Sequence, residues 1–320
     1  MINMRTFIRL VLILLALTLL ALAALTTIFW APDVPVESLK ARWAAPPSAF
    51  IPVQGMQVHI RDEGPRNDPT PLVLIHGTSA SLHTWDGWAA ALSKQRRVIR
   101  FDLPGFGLTG PAPDGDYSLP RYTRFVAATL DALEVKRVVL AGNSIGGQVA
   151  WASALAYPER VERLILVDAA GYAFTSSSVP IGFRIARLPG VNRLMENLLP
   201  RTMVESSVKN VFGHPTAVTP ELIDRYYDLV RRAGNRRALA QRFEQYQPGQ
   251  WAERLPTLHL PVLILWGGRD GLIPVENARR FNQDIAGSQL EVFEDLGHVP
   301  QEEDPQRSVQ AVTRFLAAAP

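Results

Sequence analysis

The sequence RVVLAGNSIGGQVAWASALAY, residues 137–157, joins a short β-branched run to a run rich in alanine. Residues 137–141 have the composition of a buried strand, and residues 145–156 that of a helix. Ser144 therefore lies on the turn between them, in the pattern Gly142-x-Ser144-x-Gly146. The serine in such a turn has a strained backbone. The strand and helix then approach so closely that a side chain at either glycine would collide with them. The stretch predicts a nucleophile elbow with Ser144 as its nucleophile.

The composition excludes several classes of function. With 320 residues and 47% hydrophobic content, the chain can bury one large α/β core and carry an insertion. The net charge is +3, without dense clusters of Lys and Arg, so no nucleic-acid partner is expected. The absence of cysteine excludes disulfides, thiolate metal sites and a cysteine nucleophile. The six histidines contain no H-E-x-x-H, so we expect no metal.

A glycine pattern after a predicted strand resembles a cofactor site. Residues 105–110 match G-x-G-x-x-G, but a dinucleotide fingerprint must open a helix whose N-terminus takes the pyrophosphate. Pro111, Pro113 and Gly115 follow instead. We predict a tight loop beside the pocket and no cofactor.

The N-terminus predicts a membrane anchor over residues 1–30. An uncharged apolar run from Leu10 to Trp30 is long enough to cross a bilayer as a helix, and Arg5 and Arg9 before it favour the cytoplasm. The rest of the chain would then lie on the extracytoplasmic, periplasmic side. The alternative is a signal peptide cleaved near residues 21–23, which would release a secreted protein.

The remaining chain divides into three parts. Residues 31–49 contain prolines at 32, 35, 46 and 47 and predict an extended linker. In residues 50–170 and 256–320, strands alternate with helices, which predicts a mostly parallel, doubly wound α/β sheet. Residues 171–255 show helical stretches at 221–233 and 236–246 without a convincing strand, and predict an inserted helical cap. The oligomeric state stays open.

Three residues with complementary chemistry follow predicted strands in the order Ser144, Asp270, His298. The carboxyl ends of parallel strands meet at one edge of a sheet, so these side chains can converge. A serine hydroxyl needs a histidine to take its proton, and a carboxylate to hold the imidazole in the right tautomer. The backbone N–H groups of Thr78 and Ile145 lie where an oxyanion hole requires donors.

Other residues are candidates for supporting roles. Asp168 ends an earlier strand and competes with Asp270 as the acid. Asp102 and His76 are expected to brace loops by hydrogen bonding. Six residues are expected to line the substrate pocket: His76, Gly77, Trp85, Phe106, Asn143 and Trp266.

From about residue 50 to its end, the chain resembles an α/β-hydrolase with a cap. It is similar to the branch that holds small-molecule esterases, meta-cleavage-product (carbon–carbon bond) hydrolases and cofactor-free haloperoxidase-like perhydrolases. Five motifs carry the resemblance: His76-Gly77-Thr78, residues 102–107 (DLPGFG), residues 142–147 (GNSIGG), Gly268-Arg269-Asp270 and Gly297-His298. Haloalkane dehalogenases and epoxide hydrolases of this fold have an aspartate at the elbow, and Ser144 argues against both.

The resemblance implies a serine hydrolase that cleaves a small to medium, fairly apolar ester through an acyl-enzyme. C–C cleavage, or acyl transfer to an alcohol or peroxide, by the same three residues is the alternative, and a sensor that retains them without turnover is a third reading. The carbon–carbon hydrolases usually have a longer glycine-rich loop after His-Gly, whereas residues 78–81 here are Thr-Ser-Ala-Ser.

Residues 181–199 have a basic amphipathic composition that can lie in a membrane interface. Apolar residues alternate there with Arg184, Arg187 and Arg193, and residues 181–254 contain 12 Lys and Arg against 7 Asp and Glu. The alternative is an ordinary lid whose apolar residues pack on the sheet.

Overall fold

The computed structural model describes residues 3–188, 190–194 and 196–318. Its centre is an eight-stranded sheet with the order β1-β2-β4-β3-β5-β6-β7-β8. β2 runs antiparallel to both of its neighbours, and β3 to β8 are parallel to one another. The strands are β1 (Ser48–Val53), β2 (Met56–Glu63), β3 (Leu72–Ile75), β4 (Val98–Phe101), β5 (Val138–Asn143), β6 (Val161–Val167), β7 (Val262–Gly267) and β8 (Gln289–Phe293).

Helices cover both faces of this sheet and form most of the segment between β6 and β7. They are α1 (Met4–Ile28), α2 (Val36–Trp43), α3 (Asp86–Leu92), α4 (Leu119–Ala132), α5 (Ile145–Ala156), α6 (Ile181–Ala186), α7 (Val191–Leu194), α8 (Arg201–Val211), α9 (Pro220–Val230), α10 (Asn235–Gln245), α11 (Glu276–Asp284), α12 (Pro300–Glu303) and α13 (Pro305–Ala317). The predicted α/β fold with a mostly parallel sheet is confirmed.

The central strands are apolar along their whole length because both of their faces are covered. In β5, Val138 and Leu140 belong to one hydrophobic cluster, while Val139 and Ala141 belong to the cluster on the opposite face. Alternate side chains of a strand point to opposite faces, so an uninterrupted apolar run is what a doubly covered parallel strand requires. β5 thereby becomes a rigid support for the turn that follows it.

The insertion, which we define as residues 171–255, contains helices and no named strand in its described part. The helices predicted at 221–233 and 236–246 correspond to α9 and α10. The sequence did not reveal α8, because its residues RTMVESSVKNV are mostly weak helix formers. Packing of Val208 against Phe212 and Ile223 supplies the stability that propensity lacks.

The segment 31–49 is not extended throughout as expected, because it contains α2. Its prolines lie before and after this helix, where proline is tolerated. Leu39 packs with Leu108 and Leu229, which joins the segment to both the core and the insertion. Arg42 adds ion pairs at 2.9 Å to two carboxylates of α9.

The first helix has none of its residues buried. α1 is long and apolar enough to cross a membrane, and both a membrane anchor and a signal sequence have these properties. At its end, Ala31 N donates to Asn197 O at 2.8 Å and Leu199 N donates to Phe29 O at 3.0 Å. The chain that leaves α1 is therefore hydrogen-bonded to the insertion.

We expect a chain that begins at residue 31 to remain more stable than one that begins at residue 46. The shorter chain loses the burial of Leu39, worth about 2 kcal/mol, and leaves Leu108 and Leu229 partly uncovered. Thermal unfolding of the two proteins measures the difference. Equal melting temperatures would show that residues 31–45 do not contribute to the folded core.

Candidate active site

Ser144 occupies a strained turn between β5 and α5. Its φ is 57° and its ψ is −120°, a combination that non-glycine residues rarely adopt. Ser144 N donates to Val167 O at 3.0 Å, which fixes the turn against β6. A Cβ atom at Gly142 would overlap the carbonyl oxygen of Gly146, and one at Gly146 would overlap that of Ile75. The collision expected from the sequence is therefore present at both glycines.

His298 lies beside the elbow with Asp270 behind it. Its Nδ1 is 2.6 Å from Asp270 Oδ2, and both side chains are buried. The other carboxylate oxygen of Asp270 accepts the N–H groups of Leu272 at 2.8 Å and Ile273 at 3.0 Å. With both oxygens used as acceptors, Asp270 orients the imidazole and is placed to take the Nδ1–H of His298. The Nε2 atom of His298 is then the one able to accept a proton.

Asp168, the competing acid, makes no hydrogen bond to the imidazole. Its Oδ1 accepts the N–H of Gly267 at 2.9 Å, while its Oδ2 has no hydrogen-bond partner among the described residues. Burial and the negative charge of Asp270 raise the pKa of Asp168 well above its ordinary value. The two adjacent carboxyl groups therefore have different contacts: Asp168 binds the backbone of Gly267, and Asp270 binds the imidazole of His298.

Asn143 connects the elbow to the histidine loop. Its Nδ2 donates to His298 O at 2.9 Å and to Val167 O at 3.2 Å. His298 N donates to Val211 O, at the end of α8, at 2.8 Å. The backbone of His298 is thus held from one side by the core and from the other by the insertion.

The loop after β3 forms the opposite wall. The imidazole of His76 contacts Gly77 O through Nδ1 at 2.8 Å and accepts Leu103 N–H through Nε2 at 2.9 Å. Burial lowers the pKa of His76, so the ring is neutral and braces the loop, as the sequence led us to expect. Thr78 lines the cavity. Ile145 is the first residue of α5, so its backbone N–H has no acceptor within the helix.

A cavity opens in front of Ser144 and His298. It contains about 1080 Å³ of empty space, its mouth to solvent included. Gly77, Thr78 and Asn143 line its floor. The insertion supplies a wall that the sequence did not assign, whose lining residues include Phe183, Met203, Val208, Tyr226, Arg236 and Leu239. The helical spacing of apolar residues in 201–239 was the only available signal for this wall.

Three aromatic residues predicted to line the pocket belong to the hydrophobic core instead. Trp85 packs against Trp88 on the sheet face covered by α3 and α13. Phe106 meets His76 edge to face, with the ring centroids 5.8 Å apart, and Trp266 donates Nε1–H to Ile273 O at 3.0 Å. None of the three is among the residues that line the cavity in the described structure, and the prediction that His76 lines it is wrong as well, because its imidazole is buried against Gly77 and Leu103.

Asp168, Asp270 and His298 offer ligand atoms within 4.8 Å of one another, as a metal site would. However, both oxygens of Asp270 and one of Asp168 already accept N–H groups. Hydrogen bonding therefore accounts for the grouping without a cation.

The elbow, the paired His and Asp, and the parallel sheet define the α/β class of hydrolases. A model of the alpha/beta hydrolase fold family matches residues 70–305. The chain is 32% identical over 277 residues to the 2-hydroxy-6-oxo-2,4-heptadienoate hydrolase of Pseudomonas putida, which covers 82% of this chain and 94% of that protein.

Solved structures give the same result. A mutant of the meta-cleavage product hydrolase CumD superposes with a TM-score of 0.73 at 28% identity, over 85% of this chain and 98% of that one. A membrane phospholipase A, described as a bacterial virulence factor, superposes with a TM-score of 0.70 at 27% identity, over 98% of both chains. This chain belongs to the alpha/beta hydrolase fold family and is a hydrolase that acts on a small molecule.

Two matched substitutions distinguish the roles of the acids. Asp270→Asn should lower kcat about 10⁴-fold, because His298 loses its acceptor and takes the wrong tautomer. Asp168→Asn should leave kcat within a few-fold, because the amide oxygen keeps the acceptor for Gly267 N–H and the imidazole binds Asp270 instead. Steady-state kinetics on one ester measures both, and the reverse ranking would assign the role to Asp168.

Proposed function

We propose that this enzyme is a membrane-anchored serine hydrolase that cleaves carboxylic esters with apolar acyl chains. Ser144 Oγ attacks the ester carbonyl while His298 Nε2 takes its proton, and Asp270 stabilises the imidazolium. The N–H groups of Thr78 and Ile145 stabilise the oxyanion. His298 then protonates the leaving alcohol and activates the water that releases the acid from Ser144.

The lining of the cavity carries this proposal, because it favours an apolar and uncharged substrate. Of the described residues that line it, Arg236 is the only one of the Lys, Arg, Asp and Glu types. Its guanidinium is bonded to Asp33 at 2.7 Å and is only 6% exposed. The remaining lining is mostly aliphatic and aromatic, which suits an acyl chain.

The same lining argues against the carbon–carbon hydrolase alternative. The Pseudomonas putida relative is named for a dienoate, which is a carboxylate. A carboxylate substrate requires a cation or several donors in the site, because an uncompensated buried charge is costly. Arg236 is already paired with Asp33, so a carboxylate would depend on the neutral hydroxyl and amide groups of the lining, such as those of Ser79 and Asn192.

The position of the cavity relative to α1 supports a substrate that arrives from a bilayer. Leu199 lines the cavity, and its backbone N–H binds Phe29 O directly after α1. Trp30 forms a β-bridge with Leu198. The end of the anchor is therefore hydrogen-bonded to the wall of the cavity. The similarity to a membrane phospholipase A, which covers nearly all of both chains, favours the same interpretation.

Most of the exposed apolar surface outside α1 belongs to the insertion. Outside α1, the exposed large hydrophobic residues in the described chain are Trp30, Ile181, Leu188 and Val191. Arg184, Arg187 and Arg193 are exposed among them. Apolar groups interleaved with arginines are typical of a surface that enters the membrane interface and contacts anionic headgroups. The insertion thus contains both the exposed basic amphipathic segment and the residues that are hydrogen-bonded to the end of α1.

A fluorophosphonate probe should label the folded protein at Ser144. Ser144→Ala should abolish labelling, because the probe reacts only with a serine activated by His298. Ser153→Ala is the matched control, since Ser153 is buried in α5 and does not line the cavity. Intact-mass spectrometry checks both, and undiminished labelling of Ser144→Ala would contradict the assignment.

The rate on p-nitrophenyl esters should rise with acyl-chain length. Each added methylene that enters the apolar cavity should raise kcat/KM about fourfold, which corresponds to about 0.8 kcal/mol, until the chain fills the available space. Turnover of a 2-hydroxy-6-oxo-dienoate that exceeds turnover of every ester would favour the carbon–carbon hydrolase instead. A preference for acetate esters would contradict the acyl-chain proposal.

A chain that begins at residue 31 should still bind anionic vesicles in a salt-sensitive manner. Replacing Arg184, Arg187 and Arg193 by glutamine should weaken binding roughly a hundredfold, at about 1 kcal/mol for each arginine. The matched control replaces three exposed arginines outside the insertion, namely Arg137, Arg279 and Arg314. Equal losses in the two triple variants, measured by vesicle sedimentation, would reject the membrane-facing insertion.

A further inference from the structure

A second cavity lies against α5 on the opposite side of the elbow. It contains about 290 Å³ of empty space, its opening included, and shares no lining residue with the cavity that contains Ser144. Its wall is polar, in contrast to that of the first cavity. The lining residues that matter are Tyr117, Tyr122, Ile145, Gln148, Arg242 and Tyr246.

Arg242 is a buried cation without a compensating anion. It is 5% exposed, and no hydrogen bond or ion pair joins its guanidinium to any residue in the described chain. Its guanidinium carbon lies 5.4 Å from the ring centroid of Phe243 and 5.3 Å from that of Tyr246. Arg187 approaches the same Phe243 ring at 4.6 Å, so the nearby formal charge has the same sign.

Two further polar groups in this cavity also have no partner. Gln148 is 3% exposed, and its carboxamide makes no hydrogen bond within the described residues. The Tyr246 hydroxyl likewise has no acceptor or donor there. By contrast, Tyr122 donates to Pro104 O at 3.1 Å, and Tyr117 accepts the N–H of Ala112 at 3.1 Å. Among the residues that line this cavity, Arg242 Nε is the one side-chain polar atom in the described structure that is both fully buried and without a partner.

Such a grouping is costly unless a ligand completes it. Buried polar groups in proteins are nearly always hydrogen-bonded, and a buried charge without a partner destabilises the fold by several kcal/mol. Burial and the positive charge of Arg187 both lower the pKa of Arg242, in the direction expected for a cation that lacks an anion. Water can solvate the exposed tips of these groups, but it cannot neutralise the guanidinium.

We propose that this cavity binds a small oxyanion, a phosphate or carboxylate group, that bridges Arg242, Gln148 and Tyr246. The planar guanidinium presents paired N–H donors that match two oxygens of such a group, and the amide and hydroxyl add single donors. The site is separate from Ser144 and independent of the ester proposed as substrate.

The test measures thermal unfolding of the full chain in a neutral detergent at constant ionic strength. Inorganic phosphate, sn-glycerol 3-phosphate and acetate are titrated separately, with chloride as the reference anion. We expect at least one of the three to raise the melting temperature saturably, by about 5 °C at a hundredfold excess over its Kd. The glycerol phosphate arm distinguishes a lipid headgroup from free phosphate, and the acetate arm identifies a carboxylate.

Variants locate the binding. Arg242→Met should lower the affinity for the anion at least tenfold. It should also raise the melting temperature of the anion-free protein, because it removes an unpaired buried charge. Gln148→Leu should lower the affinity for the anion severalfold while the fold is retained. This variant provides the test if Arg242→Met does not fold. Arg279→Gln removes an exposed arginine of α11 and should leave the response to the anion unchanged. The proposal is overturned if no anion gives a saturable rise, or if the rise persists in Arg242→Met or, should that variant not fold, in Gln148→Leu.

Discussion

The backbone of Ser144 is the constraint on which the site depends. A φ of 57° in a serine costs about 1–3 kcal/mol and persists only because its surroundings permit no other geometry. β5 fixes the turn from one side, since its side chains are buried on both faces of the sheet. The contacts at Gly142 and Gly146 are so close that only glycine fits. The strain places the hydroxyl at the edge of the sheet, in front of His298.

The insertion does more than cover the site. Val211 O binds the backbone N–H of His298, so α8 takes part in placing the imidazole. Just before α8, the hydrogen bond between Leu199 and Phe29 ties the cavity wall to the end of α1. A series of contacts through α8 therefore connects the end of α1, the cavity wall and the backbone of His298. In the proposed function, this arrangement brings the cavity to the lipid without requiring a diffusible substrate.

The sequence predicted the elements whose physical signals are local. The apolar run before Ser144, the two glycines and the residues that follow strand ends required no knowledge of packing, and the structure brings Ser144, Asp270 and His298 to one edge of the sheet. The prediction that residues 31–49 are extended was wrong. Proline disrupts the interior of a helix, but the prolines here lie before and after α2. Trp85 and Trp266 were assigned to the pocket because they are near it in sequence. Tertiary packing determines whether such a side chain faces the core or the pocket, and no local sequence pattern indicates the outcome.

In the proposed function, an acyl group is transferred to Ser144 from an ester held in the apolar cavity. Rapid-quench mass spectrometry in the first turnover of a long-chain p-nitrophenyl ester tests it most directly. We expect a burst of nitrophenol, with the acyl mass added to the peptide that contains Ser144 and removed again by water. Turnover without an adduct, or an adduct on another residue, would contradict it.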